Sequence, residues 1–107
     1  MKLWIDDVRP APKGYSWAKS VHDAIYTIAL VEQRQKNHYL GMDCWEVELI
    51  DIDHDAGEYA QYGGDYIKLL DWLEATGRNY PIHIHSMNPV GVANMRAIIQ
   101  KNGWREV

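Results

Sequence analysis

Three short apolar runs in this chain end in the same kind of chemistry. Leu3-Trp4-Ile5 leads into Asp6-Asp7, the run built on Leu49, Ile50 and Ile52 leads into Asp53-His54-Asp55, and Ile82 to Ile84 leads into His85-Ser86 with Asn88 close behind. Stretches of helical periodicity lie between them. Strands alternating with helices imply a largely parallel sheet flanked by helices. Parallel strands carry their carboxyl ends to one edge, and ligands of open α/β sheets sit beyond that edge. The pattern therefore gathers three polar clusters in one place.

Lys2 to Ile5 reads as the first strand. Arg9-Pro10-Ala11-Pro12-Lys13-Gly14 cannot lie inside a helix, and Tyr15 to Lys19 reads as a second short strand. About eight residues join the two, fewer than the dozen that an ordinary parallel crossover takes, so the second strand is expected as an irregular edge or antiparallel. Ser20 opens a helix with Asp23 three residues on, an Asp variant of the capping box. Val21, Ala24, Ile25, Ile28 and Val31 share one face, and the helix fades near Lys36-Asn37. His38 to Trp45 is irregular. Val47 to Asp53 forms the third strand, followed by a loop holding Gly57, Gly63 and Gly64. Tyr66, Ile67, Leu69, Leu70 and Leu73 mark a helix that stops at Gly77. The fourth strand runs from Ile82 to Ser86. Asn88 and Pro89 are the N-cap and first turn of a last helix carrying Met95, Ile98 and Ile99. Trp104 to Val107 reads as a final strand. With no repeat or linker, residues 1–107 are expected to form one domain.

Composition narrows the function. The chain has 107 residues, 47% of them hydrophobic, enough for one core. No stretch approaches the roughly 20 apolar residues that span a membrane, and Asp6-Asp7 comes too early for a signal peptide. Cys44, the only cysteine, permits no internal disulfide and fits a reducing cytoplasm. It precedes the third strand, away from the polar edge, and is not expected as a nucleophile. The net charge of −4 argues against binding a DNA duplex. It leaves room for a compact site holding one phosphate, above all if a metal first neutralises the acids.

Asp6, Asp7, Asp53 and Asp55 would crowd like charges, which a cation, a shared proton or a basic partner must relieve. Hard oxygen ligands suit Mg²⁺ or Mn²⁺. His54 and His85 can move protons near neutral pH or bind metal. His83 lies deeper on the same strand face as His85 and is expected as a hydrogen-bonded core residue; His22 and His38 are expected on the surface. The first amides of the last helix suit a phosphate. Gly91 would let a ligand approach the backbone, and Asn88 either contacts it or only caps the helix. Arg9 can hold a phosphate or pair with one of the acids. No Gly-rich phosphate-loop motif and no paired-Cys zinc site occurs.

Leu3-Trp4-Ile5-Asp6-Asp7-Val8-Arg9-Pro10, Asp53-His54-Asp55 with Gly57, Gly64-Asp65-Tyr66, and His85-Ser86-Met87-Asn88-Pro89-Val90-Gly91 with Asn94-Met95 resemble the cyclic-phosphate processing receiver-like domains. The resemblance implies a receiver-like fold in which the short Pro-rich connection replaces the first helix. Asp6 and Asp7 would match the receiver's acidic metal-binding pair, Asp53 its phospho-accepting aspartate and Ser86 its switch hydroxyl; its lysine has no counterpart. The expected activity is metal-assisted hydrolysis of a phosphoric diester, a cyclic phosphate of a small nucleotide or an RNA end. Asp6, Asp7, Asp53 and Asp55 would hold the metal, while Asp53, His54, His85 and Ser86 act on the substrate. Arg9, Ser86, Asn88 and Gly91 would bind the phosphate. A module that sequesters a cyclic nucleotide without cleaving it, and a receiver-like signalling domain, are the rival expectations. No oligomeric state is implied.

Overall fold

The computed structural model describes residues 1–36 and 46–107. The elements run β1 (Lys2–Ile5), β2 (Tyr15–Ala18), α1 (Val21–Lys36), β3 (Leu49–Ile52), a short 3₁₀ helix (Gly57–Tyr62), α2 (Ile67–Ala75), β4 (Ile82–Ile84) and α3 (Pro89–Asn102). The four strands form an all-parallel sheet in the order β2-β1-β3-β4. With three helices, this is an α/β fold of the receiver-like kind. His38 and Cys44 lie outside the described residues.

Burial alternates along β1, while β3 buries Asp51 together with its apolar residues. Leu3, Ile5, Ala18, Ile50, Ile52 and Ile82 are buried and share one core with Val21, Ala24, Ile28 and Val31 of α1, Leu69, Leu70 and Leu73 of α2, and Met95 and Ile99 of α3. All three helices therefore cover the same face. The register sets Trp4 beside Trp17 and Asp51, and Asp51 beside His83, so these side chains share the opposite face. Right-handed crossovers explain the division. The steps from β2 to β3 and from β3 to β4 move one way along the sheet, while the step from β1 to β2 moves the other way and must cross the opposite face.

That step corrects the expectation for β2, which is an edge strand but pairs with β1 in regular parallel register. The dozen-residue minimum assumes a helix in the crossover. Residues 6–14 contain none and can reach about 30 Å when extended, against roughly 13 Å for a four-residue strand. Two indoles on the opposite face tie the connection down. Trp4 Nε1 donates to the Arg9 carbonyl at 2.9 Å and Trp17 Nε1 to the Asp6 carbonyl at 2.8 Å.

Two further expectations change. Trp104 to Val107 forms no full strand, only a parallel bridge between Glu106 and Ile82. The stretch after Asp55, read as a loop, contains the 3₁₀ helix. The first cap follows the sequence reading in part: Ser20 Oγ accepts from Asp23 N at 3.0 Å, but Asp23 answers to Lys19 N instead of closing the box on Ser20. Asn88 caps α3 as expected, its Oδ1 accepting from Gly91 N at 3.0 Å. No described helix is long and apolar enough to cross a membrane.

Candidate functional site

At the carboxyl end of β1, Asp6 is fully buried. Its Oδ1 accepts from the amides of Val8 (3.0 Å) and Arg9 (2.9 Å), closing the turn that starts the Pro-rich connection. Its Oδ2 lies 2.9 Å from His85 Nε2, and the other ring nitrogen of His85 lies 2.7 Å from Asp51 Oδ1. The His85 ring stacks flat on Trp4, with centroids 3.9 Å apart and planes within 2°. A neutral imidazole has one N–H and would turn a lone pair toward one of the carboxylates; an imidazolium donates to both. Burial opposes the His85 charge, but the bonds from Asp51 and Asp6 outweigh it and raise the pKa. Burial likewise opposes the Asp6 charge, and the Arg9 and Val8 amides with His85 reverse the balance and lower its pKa.

Asp53 is nearly buried, and its Oδ1 accepts from His54 N at 2.7 Å. Asp7 carries a raised pKa, first from burial and then from the charges of Asp6 and Asp53. Its carboxylate occupies the space that a side chain on Gly57 would fill, and Gly57 sits at φ +55°. Ligand atoms of Asp6, Asp53 and His85 lie within 4.8 Å of one another, so this cluster can hold a metal ion. The donor chemistry fits a divalent ion, with two carboxylates, one imidazole and the Asp7 charge close by. For His85 to join as a ligand, Nε2 would have to give up its proton.

His54 is arranged differently. Its Nδ1 lies 2.8 Å from Asp55 Oδ1, and Nε2 has no protein partner among the described residues. The His54 bond lowers the Asp55 pKa, burial opposes it, and Asn88 Nδ2, 3.3 Å from Asp55 Oδ2, adds to the lowering. Asp55 thus turns to His54 and Asn88 and clusters with Asp65 rather than with Asp6 and Asp53, as the sequence had grouped it. Asp65 also accepts from Ala56 N at 3.1 Å. At Gly91 a Cβ would overlap His54 Cγ and lie 2.6 Å from Cδ2 and 2.8 Å from Nδ1, so the missing side chain makes room for the His54 ring.

The start of α3 lies next to this pair. Pro89 has no N–H, Gly91 N goes to the Asn88 side chain and Val92 N to the Asn88 carbonyl, which leaves the Val90 amide for a ligand. Ser86 Oγ accepts from Asn88 N at 3.1 Å, so its hydroxyl hydrogen is free to donate elsewhere. Arg9 lies over the same edge, with Nη1 3.4 Å from the His85 carbonyl and Nε 3.7 Å from Asp6 Oδ2. This ion pair is long and not bidentate, so most of the guanidinium donors remain available.

Asp6, Asp7, Asp53, His85 and Arg9 thus converge at one edge, with His54, Asp55, Ser86, Asn88 and Gly91 on its flank. The reading of His83 is corrected. It is only partly buried and bonds through Nδ1 to the Val107 carbonyl at 2.7 Å, while His85 is the enclosed one. His22 is exposed as expected. Sequence reasoning missed Asp51 and Trp4. Asp51 breaks an apolar strand two residues before Asp53 and so shares its face, a signal that was present but reads as a mere interruption. Residues 1–101 match the family model described as cyclic-phosphate processing receiver domain. No curated protein and no solved structure matches the chain.

Proposed function

The chain belongs to the cyclic-phosphate processing receiver domain family, and we propose that it is a metal-assisted phosphodiesterase that opens a cyclic phosphate of a nucleotide or an RNA end. The observation that carries this reading is the His54–Asp55 pair, with one ring nitrogen oriented by a carboxylate and the other without a protein partner among the described residues, beside a cluster of acids suited to a cation. An oriented histidine with one open nitrogen is the arrangement that general-base chemistry requires.

In the proposed reaction His54 Nε2 takes a proton from a water that attacks phosphorus. One ester P–O bond of the ring breaks, and the leaving alkoxide collects a proton from solvent. Asp55 holds the correct tautomer and stabilises the imidazolium as it forms. The Ser86 hydroxyl, the Val90 amide and the Arg9 guanidinium would meet the non-bridging oxygens. A bound Mg²⁺ or Mn²⁺ would polarise the phosphoryl oxygens. Asp53, whose Oδ2 has no protein partner among the described residues, would hold it with Asp7 and Asp6. His85 is assigned a fixed positive charge rather than a proton-transfer role, because both of its nitrogens already face carboxylates.

Turnover of a panel of cyclic nucleotides and cyclic-phosphate RNA ends tests the reading. His54→Ala should slow turnover by roughly 10²–10⁴-fold while substrate affinity changes far less, because proton transfer contributes mainly in the transition state. Tight binding with no turnover by the wild type would instead favour the sequestering module.

A further inference from the structure

Among the described residues the three most exposed large hydrophobic ones are Met87 (83%), Val8 (73%) and Val90 (71%), and each stands within two residues of a group placed at the candidate site. Val8 separates Asp7 from Arg9, Met87 follows Ser86, and Val90 precedes Gly91. A single exposed apolar side chain is ordinary, but three of them next in sequence to the charged residues of one sheet edge give that edge an apolar rim.

On the α3 side this rim continues into a groove of about 510 Å³ lined by Ser86, Met87, Pro89, Val92, Ala93 and Arg96. The volume is within the range of small-ligand sites. Pro89, Val92, Ala93 and Arg96 follow one another at helical spacing, so a single face of α3 forms the wall. That face points away from the core, which α3 meets through Met95 and Ile99. The wall is apolar until its far end, where Arg96 Nε is held by Glu106 Oε2 at 2.9 Å. The pairing fixes the guanidinium but leaves its flat face, which stacks on aromatic rings. Ser86 belongs both to the groove and to the group of donors available to a phosphate, so the two spaces are continuous.

We propose that this groove takes the base of a nucleoside cyclic phosphate, with the planar ring lying against Met87, Pro89 and Val92 and ending under the Arg96 guanidinium. The proposal rests on the cyclic-phosphate reading of the adjoining site and makes the substrate a nucleotide. An unadorned cyclic phosphate would satisfy the charged well and leave the apolar rim in water. Met87 is suited to such a contact because its flexible thioether adapts to a flat ring.

Calorimetric titration with the wild type in Mg²⁺ tests this with three probes: adenosine 2′,3′-cyclic phosphate, a short oligoadenylate with the same cyclic end, and ribose 2,3-cyclic phosphate, which lacks the base. Stacking a base is worth about 1–3 kcal/mol, so both base-bearing probes should bind roughly 5- to 150-fold tighter than the base-free one. Tighter binding of one base-bearing probe identifies free nucleotide or RNA end as the source. Met87→Ala and the uncharged Ala93→Gln, both at exposed positions, should erase that preference and leave the base-free affinity unchanged. Equal binding of all three probes, or variants that weaken all three alike, would overturn the groove while sparing the cyclic-phosphate reading. Failure of every probe to bind would sink both.

Discussion

The two histidines beside this sheet edge have been given opposite freedoms. His85 has a carboxylate at each nitrogen and an indole under its ring, whereas His54 has one carboxylate, one open nitrogen and a glycine beneath it. An imidazole with two acidic partners is held as a cation and has no proton to exchange without breaking a buried ion pair. One with a single partner is oriented by it and keeps its other nitrogen open to a ligand or a water. Residue type and strand-end position are the same for both, so neither distinguishes them; the number of carboxylates each ring meets does.

Replacing each histidine by alanine tests this contrast most directly. His54→Ala should cost the catalytic factor given above with stability changed by only about 1 kcal/mol. His85→Ala should do the reverse in unfolding experiments. It strands Asp6 and Asp51 as buried acids without their cation, and breaking such a pair costs about 3–5 kcal/mol, a large part of the roughly 5–15 kcal/mol available to a domain. Denaturant titration of both variants checks the pair. A His85→Ala protein as stable as wild type would show that the enclosed cation is not what holds these acids.

A smaller effect is expected from Gly91→Ala. Its backbone is helical, so the added methyl costs no conformational strain and even favours the helix by about 1 kcal/mol. The methyl would instead meet the His54 ring and push it from its seat. Misplacing a reacting group by about 1 Å can cost as much as 10²-fold in rate. Activity should therefore fall toward that level, and the melting temperature should drop as well, because crowding the ring costs about 1–3 kcal/mol, which the helix gain offsets only in part. Full activity in Gly91→Ala would mean that the position of His54 does not matter to the reaction.

The same contrast shows what could be read from the sequence. Asp6, Asp53 and His85 were legible because each directly follows an apolar strand, and parallel topology carries all such ends to one edge. Asp51 was not, because a mid-strand acid becomes meaningful only when a histidine 34 residues away in sequence is seen to reach it. Gly91 stands out by the right property, its missing side chain, but what occupies the space comes from the loop after β3, and sequence spacing within α3 carries no information about that. The edge position of β2 is legible but its parallel pairing is not, because the length rule assumes a helical crossover, and the tethers that make a bare loop sufficient, Trp4 and Trp17, look like ordinary strand aromatics.

The mildest test is the pH dependence of stability, measured in metal-free protein with a chelator present so that no ion competes for the acids. His85 has a folded pKa above its ordinary value of about 6.5. It binds protons more tightly when folded, so its contribution is complete below that value and is lost as the pH rises through the folded pKa. Asp6 has a folded pKa below its ordinary value of about 3.9. Its contribution is complete above that value and is lost as the pH falls through the folded pKa. Both describe one ion pair, so its contribution should be whole between roughly pH 4 and pH 6.5 and decline on either side. In His85→Ala the alkaline decline should flatten, because the group that releases the proton is gone, whereas His54→Ala should retain it. An alkaline decline of equal slope in the wild type and His85→Ala would mean that some other group titrates there and that His85 is not held as the cation between Asp6 and Asp51.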